Sequence, residues 1–370
     1  MLRVGAVRRL NLPVLWVPVR WRHVRAGRSS DHKSSDKVRN QLAKALGGLA
    51  VPHGKKHRAV GMFELLKDAT NSATPDLSKC FHFCGQSRDV QTLGLVWRMA
   101  KSRQLALNRQ LYGEFIAAAA RTAQSDKNNF KDKTLCLSLG KGAWTDMARI
   151  GLPPRLPEYG AALALCAKTG DAEWASELWS EISNSSMKPD SMALSEYLEA
   201  MAQDDGWDIV EEELARMKTL GVEPRPSAFA ALLSTAGAQH QRDRIEWVWD
   251  SFPDIQSTAA AYVDKARALL LCGEPAVVPT LRVEMTEKDI SPIFRTFLCE
   301  AQALLLMLQE EPISEKLAHD ITHVAGLAQT YSGSEVVARE ERHLLEELEG
   351  MAQRLVNGEE LSYSDVHILI

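Results

Sequence analysis

Apolar and polar positions alternate along residues 156–190 with a helical period, and they do so twice. Tyr159, Leu163 and Cys166 recur at three- and four-residue spacing, which predicts an amphipathic helix over Glu158 to Lys168. Gly170 suits the end of that helix, because glycine enters the left-handed region at no steric cost. Asp171 can then cap a second helix, Ala172 to Ser183, whose inward stripe is Ala175, Leu178, Trp179 and Ile182. Pro189 stops the stretch, since the residue before a proline is disfavoured in the helical region. Ser191 to Arg225 repeats the arrangement over the same 35 residues, with Leu194, Leu198, Met201, Val210, Leu214 and Met217 in the corresponding places.

Two rare residue types keep the same period. Pro154, Pro189 and Pro224 stand 35 residues apart, as do Trp144 and Trp179, and Trp249 follows Trp179 at 70. Trp97 precedes Trp144 by 47, one period plus twelve, which predicts an inserted loop between Thr122 and Lys133 where the sequence is polar and unpatterned. Counting from these marks gives units at 74–108, 109–155, 156–190, 191–225, 226–258, 259–293 and 294–330. A unit of two short helices cannot bury its apolar face alone, so stacked neighbours must share one continuous core. The expected fold is therefore all-α, a right-handed superhelical solenoid of helix–turn–helix repeats of about 35 residues. The array is expected over residues 71–330. An acidic capping helix, Ser334 to Val356, and a tail are expected over 331–370.

The period, the turn Ala167-Lys168-Thr169-Gly170 and the unit ends Met187-Lys188-Pro189-Asp190 and Gly221-Val222-Glu223-Pro224-Arg225 resemble the pentatricopeptide repeat family. The likeness covers roughly two-thirds of the chain. It implies RNA binding, with one base met per unit by a small polar residue early on the first helix and by the last residue of the unit. Carried onto this sequence, the pairs are Ser78 with Asn108, Gly113 with Arg155, Gly160 with Asp190, Ser195 with Arg225, and Val263 with Ile293. Ser78, Asn108, Gly160, Asp190, Ser195 and Arg225 are the base-reading candidates, and only Ser78 with Asn108 keeps both halves of the pattern. Gly160 has no side chain to donate or accept, and the last pair is apolar. Readout across several bases is not expected.

Composition adds a second line. Of 370 residues, 45% are hydrophobic, 25% charged and 6% aromatic, the balance of a folded and helix-prone protein. The net charge of −4 hides an asymmetry, with +18 over residues 1–155 and −22 over residues 156–370. Arg98, Lys101, Arg103, Arg109, Arg121, Lys127, Lys131, Lys133, Lys141, Arg149 and Arg155 crowd residues 98–155 against four acids. Such a patch can hold RNA phosphates without reading sequence. The acidic rear half repels a polyanion and is expected to meet protein partners instead.

No acid precedes Asp31, while Arg3, Arg8, Arg9, Arg20, Arg22, Arg25 and Arg28 are mixed with apolar residues. That composition predicts an organellar transit peptide over residues 1–30, followed by a basic linker over 31–70. Serine and threonine are sparse before Ser29, which favours the mitochondrion over the plastid.

Several chemistries are excluded. No apolar run approaches the roughly 18 residues of a membrane-spanning helix, so no membrane insertion is expected. Six scattered cysteines do not make a disulfide framework. Cys80 and Cys84 flank His82 without a second half-site, and His319 and His323 lack the glutamate of the metalloprotease helix. Gly140-Lys141-Gly142 lacks the frame of a phosphate loop. No metal, cofactor, small-molecule substrate or catalytic residue is expected. The stretch after residue 330, about 40 residues, is too short for the nuclease or deaminase domain that follows the repeats in some members of the family. Three roles follow. One is an RNA-binding factor in mitochondrial RNA processing, stability or translation. Another is a structural subunit of the mitochondrial ribosome or another organellar assembly, where the RNA would be ribosomal rather than single-stranded. The third is a protein scaffold without RNA contact. RNA held by the front half and protein by the rear is the favoured expectation.

Overall fold

The computed structural model describes residues 74–102, 104–124, 130–310, 315–331 and 339–357. Among them lie fifteen α-helices and no strand. They are α1 (Thr74–Ser87), α2 (Val90–Ser102), α3 (Arg109–Ala123), α4 (Phe130–Arg149), α5 (Leu156–Thr169), α6 (Ala172–Asn184), α7 (Ser191–Gln203) and α8 (Trp207–Thr219). The rest are α9 (Pro226–Ala238), α10 (Arg242–Ser251), α11 (Ala259–Cys272), α12 (Val278–Glu287), α13 (Phe294–Glu310), α14 (Glu315–Tyr331) and α15 (Arg339–Val356). The first fourteen pair into seven hairpins. Their first helices begin at intervals of 35, 47, 35, 35, 33 and 35 residues.

Local chemistry explains the hairpin turns. Gly170 takes φ 77° and donates its N–H to the Cys166 carbonyl at 2.8 Å. Asp171 accepts from the Trp174 N–H at 3.0 Å and so starts α6. One and two periods later the same left-handed position is held by Asp205 (φ 60°) and His240 (φ 56°), which carry no glycine signal in the sequence. The insertion differs from expectation. α3 runs on to Ala123, and α4 takes 20 residues against 13 in α6 and α8, so most of the added length is helix rather than loop. The reason is an apolar stripe at four-residue spacing, Leu135, Leu139, Ala143 and Met147, all packed on the core. Residues 125–129 lie outside the described ones.

Packing between hairpins is uneven. Each first helix packs directly on the next, α1 on α3 and so on through α11 on α13, whereas among the second helices only α2 and α4 make substantial contact with each other. The closely packed row lies on the inside of the curve, so the first helices form the inner face and the second helices the outer one. The tryptophans of the 35-residue ruler sit at the joints. Each comes from a second helix and meets an aromatic ring on the next first helix. Trp97 meets Tyr112 at 5.4 Å between centroids and Phe115 at 4.1 Å; Trp144 meets Tyr159 at 5.0 Å, Trp179 stacks on Tyr197 at 4.7 Å, and Trp249 meets Tyr262 at 4.9 Å.

The end of the array is built differently. One core runs from Leu77 to Ala303, and a second is made by α13, α14 and α15 around Phe294, Phe297, Leu305, Ile321, Val324 and Leu348. α13 gives a face to each core. α15 buries Leu345, Leu348 and Ala352 and turns Glu346 and Glu347 outward, as a cap requires. Its expected start at Ser334 lies outside the described residues.

Candidate nucleic-acid interface

The base-reading candidates occupy two kinds of position. The last residue of a unit is the N-cap of the next first helix. Asn108 accepts from the Leu111 N–H at 2.9 Å, and Asp190 from the Ala193 N–H at 2.8 Å. Their carboxyl or amide oxygens are therefore engaged by the backbone. The early first-helix position is closed in three consecutive hairpins. A Cβ on Gly113 would lie 3.3 Å from Glu158 Cγ, and Glu158 accepts the Arg155 N–H at 2.8 Å, so this buried glutamate fills the space between the pair. A Cβ on Gly160 would lie 3.0 Å from the Met192 methyl. Ser195 is 4% exposed, and its hydroxyl donates to the Ser191 carbonyl at 2.5 Å while accepting the Arg225 N–H at 2.8 Å. Val263 is buried and Ile293 half-buried. Ser78 is half-buried and Asn108 exposed.

The cations that form one run in the sequence form two groups in space, because the helices of a hairpin are antiparallel. Arg98 and Lys101 near the end of α2, Arg109 at the start of α3, Arg149 at the end of α4 and Arg155 before α5 lie at the loop end of the first two hairpins. Arg121 at the end of α3, Lys131 and Lys133 at the start of α4, and Lys141 lie toward the turn end. A helix the length of α3 separates the ends by about 22 Å. Arg103 and Lys127 lie outside the described residues. Carboxylates neutralise part of each group. Lys101 and Arg149 both reach Asp146, and Lys141 pairs with Asp171 at 2.6 Å. Arg109 donates to the Pro153 carbonyl at 2.7 Å. Arg98, Arg121, Lys131, Lys133 and Arg155 make no ion pair among the described residues.

Asp146 is the fixed point of the loop-end group. It accepts from Arg149 at 2.7 Å and from the Tyr112 hydroxyl at 2.5 Å, besides pairing with Lys101. Burial works to raise this carboxyl, but the hydrogen bonds from Arg149, Lys101 and Tyr112 outweigh it and hold it down to about 2. An unfolded aspartate titrates near 4. The stabilisation is therefore complete above about pH 4 and is lost as the pH falls toward 2. Acid titration of the wild type beside Asp146→Asn is expected to show their stability difference closing over that window. A difference that does not change with pH would refute it.

The inner face has a different character. Along α7 the half-buried or exposed positions are Ser191, Met192, Glu196, Glu199 and Gln203, and along α3 they are Gln110, Gly113, Glu114, Ala117 and Arg121 beside the Arg109 start. Lys168 of α5 pairs with Glu199 at 2.6 Å across the row, and Arg267 lies 3.9 Å from Asp264. Burial pushes the Glu196 carboxyl up, with Glu199 adding to it against the pull of Lys168 and Arg225. Glu196 and Glu199 thus put carboxylates on the inner face of the fourth hairpin, while α9 carries none and Asp264 of α11 sits beside Arg267. Cys80 and Cys84 face the core, while His82 is exposed and bonds Gln86 at 2.8 Å, so these three do not converge on one point. Among the described residues no helix is long and apolar enough to cross a membrane.

No protein-family model matches this sequence, and no curated protein matches it. Solved structures do. The pentatricopeptide repeat protein PPR10 in complex with an 18-nucleotide psaJ RNA element aligns with a TM-score of 0.53 at 14% identity, covering 91% of this chain and 50% of that one. A cysteine-substituted form of the same complex gives the same values. PPR10 from maize, at 14% identity, aligns with a TM-score of 0.36 over 91% of this chain and 54% of that one. The chain thus spans about half the length of PPR10, and it is folded as a pentatricopeptide-type solenoid.

Proposed function

We propose that this chain is a non-enzymatic RNA-binding protein of the mitochondrion, acting in RNA processing, stability or translation. It holds RNA by its first two hairpins and meets protein partners through its acidic rear half. The observation that carries this reading is the position of its unpaired cations. Five of them, Arg98, Arg121, Lys131, Lys133 and Arg155, crowd hairpins 1 and 2 and the start of hairpin 3, at both ends of the helices, while Lys188, Lys218 and Arg225 are spread singly over the next three hairpins, whose outer helices α6, α8 and α10 expose Glu173, Glu177, Glu212, Asp243 and Asp250. The RNA carried by PPR10 in its complex supports the same direction. The arginine-rich first 30 residues support the mitochondrial address, although they lie outside the described residues.

The closed positions at Gly113, Gly160 and Ser195 favour a second reading, a structural subunit of the mitochondrial ribosome or a comparable assembly. There RNA backbone is gripped without base readout. Ultraviolet crosslinking in mitochondria, with gradient sedimentation of the tagged protein, separates the two. Crosslinked RNA on a light particle is expected for the first reading, and co-migration with ribosomal subunits for the second. No crosslink, together with unchanged behaviour of Arg98→Glu/Arg155→Glu, would refute RNA binding. Residues 1–60 fused to a fluorescent reporter are expected to direct it to mitochondria, and a cytosolic signal would refute the address.

A further inference from the structure

The insertion gives hairpin 2 a feature that the other hairpins lack. α4 has 20 residues where α6 and α8 have 13, so its first turns project from the turn end of the array by about 10 Å. Phe130 stands at that tip with 83% of its surface exposed. Lys131 and Lys133 share its turn and lie about 100° to one side and about 60° to the other. Neither makes an ion pair among the described residues, while Asp132 on the same turn offsets one charge. Arg121, at the end of α3, lies over Gly85 of α1 instead, where its Nε would stand 2.8 Å from a Cβ on that glycine, so the tip's own cations are the two lysines. Core packing on α4 begins at Leu135, so the ring is not needed to hold the helix.

An open aromatic ring bracketed by cations suits one ligand in particular. An unpaired base stacks on the ring while its flanking phosphates meet the ammonium groups. A protein's apolar patch would use the ring and waste the cations. A duplex would use the cations and leave the ring in water. We propose that Phe130, with Lys131 and Lys133, is a stacking site for single-stranded RNA on the turn edge of hairpin 2, outside the inner face of the array. The proposal rests on the RNA-binding reading and deepens it by naming where a base is held.

Wild type, Phe130→Ala, Phe130→Trp and Arg98→Glu/Arg155→Glu are titrated with a short fluorescein-labelled oligouridine and with an abasic oligomer of equal length, read by fluorescence anisotropy. Little packs on Phe130, so the alanine variant keeps its fold, and circular dichroism checks this. Phe130→Ala is expected to bind oligouridine about five- to fiftyfold more weakly, as loss of one stacked base does. Phe130→Trp is expected to bind at least as well as wild type, and the abasic oligomer to make all three equal. If Phe130→Ala binds like wild type while Arg98→Glu/Arg155→Glu is weakened, the stacking site is wrong and RNA binding stands. If Phe130→Ala keeps RNA binding but loses co-sedimentation with a larger particle, the ring anchors a protein and the proposal is overturned. If wild type binds neither oligomer, the RNA-binding reading itself fails.

Discussion

Trp179→Ala is expected to cost about 3–5 kcal/mol, the range for removing a large buried aromatic side chain. The ring is 4% exposed and lies 6° from parallel with Tyr197 of the next hairpin. Its Nε1–H donates to Glu213 at 2.9 Å, on the second helix of that hairpin. One side chain of hairpin 3 thus touches both helices of hairpin 4. In a linear array the loss falls on a single junction, because each hairpin contacts only its neighbours. Urea unfolding of the variant is therefore expected to broaden or separate into two transitions, with hairpins on either side of the junction melting apart. Trp179→Phe keeps an aromatic contact and loses the hydrogen bond, so a smaller loss of about 1 kcal/mol is expected. A single sharp transition for Trp179→Ala, displaced by less than about 1 kcal/mol, would show that this junction does not depend on the ring.

The second large effect is expected at Gly237, in the inner row. An alanine in place of a helical glycine normally gains about 1 kcal/mol. Here a Cβ would lie 2.5 Å from the Ala268 carbonyl oxygen and 2.9 Å from its Cα. The obstacle is the backbone of α11, which cannot rotate away as a side-chain tip can. α9 and α11 would have to separate, losing contacts along both, so overpacking of about 3 kcal/mol outweighs the gain in propensity. Gly237→Ala is expected to lower the denaturation midpoint by a net loss of about 2 kcal/mol or more. An unchanged or raised midpoint would mean that the two helices can move apart without penalty.

Much of the scaffold was legible in the sequence because it is marked by residues with narrow uses. The prolines close units, Gly170 enters the left-handed turn, and the ruler tryptophans fill the joints. Where the same backbone position is held by Asp205 or His240, the sequence carries no mark, although the geometry is the same. Trp207 escaped for a related reason. It lies off the ruler, yet it is 1% exposed and donates to Gln239 at 2.9 Å across to the next hairpin. The polar stretch between Thr122 and Lys133 does hold the insertion, but it hides the start of α4, which opens at Phe130, five residues before the apolar stripe of Leu135, Leu139, Ala143 and Met147 begins. The candidate site was less legible. Cations that are neighbours in sequence part to opposite ends of a hairpin. The partners that neutralise them, such as Asp146 for Lys101, arrive from 45 positions away. The closure of Gly113 by Glu158 has the same origin, since contacts between successive hairpins set it.

The uneven packing of the two rows also sets how the molecule yields to load. First helices touch first helices along the whole array, while most second helices lack a comparable neighbour in their own row. Such a body is a folding fan, with its ribs pinned along one edge. Pulling the ribs off the pin breaks the buried core. Spreading or closing them changes few contacts, and each joint contributes only a small rotation. The stiffness is therefore directional, and a change of curvature summed over seven hairpins moves the two ends of the array much farther than it moves any one joint.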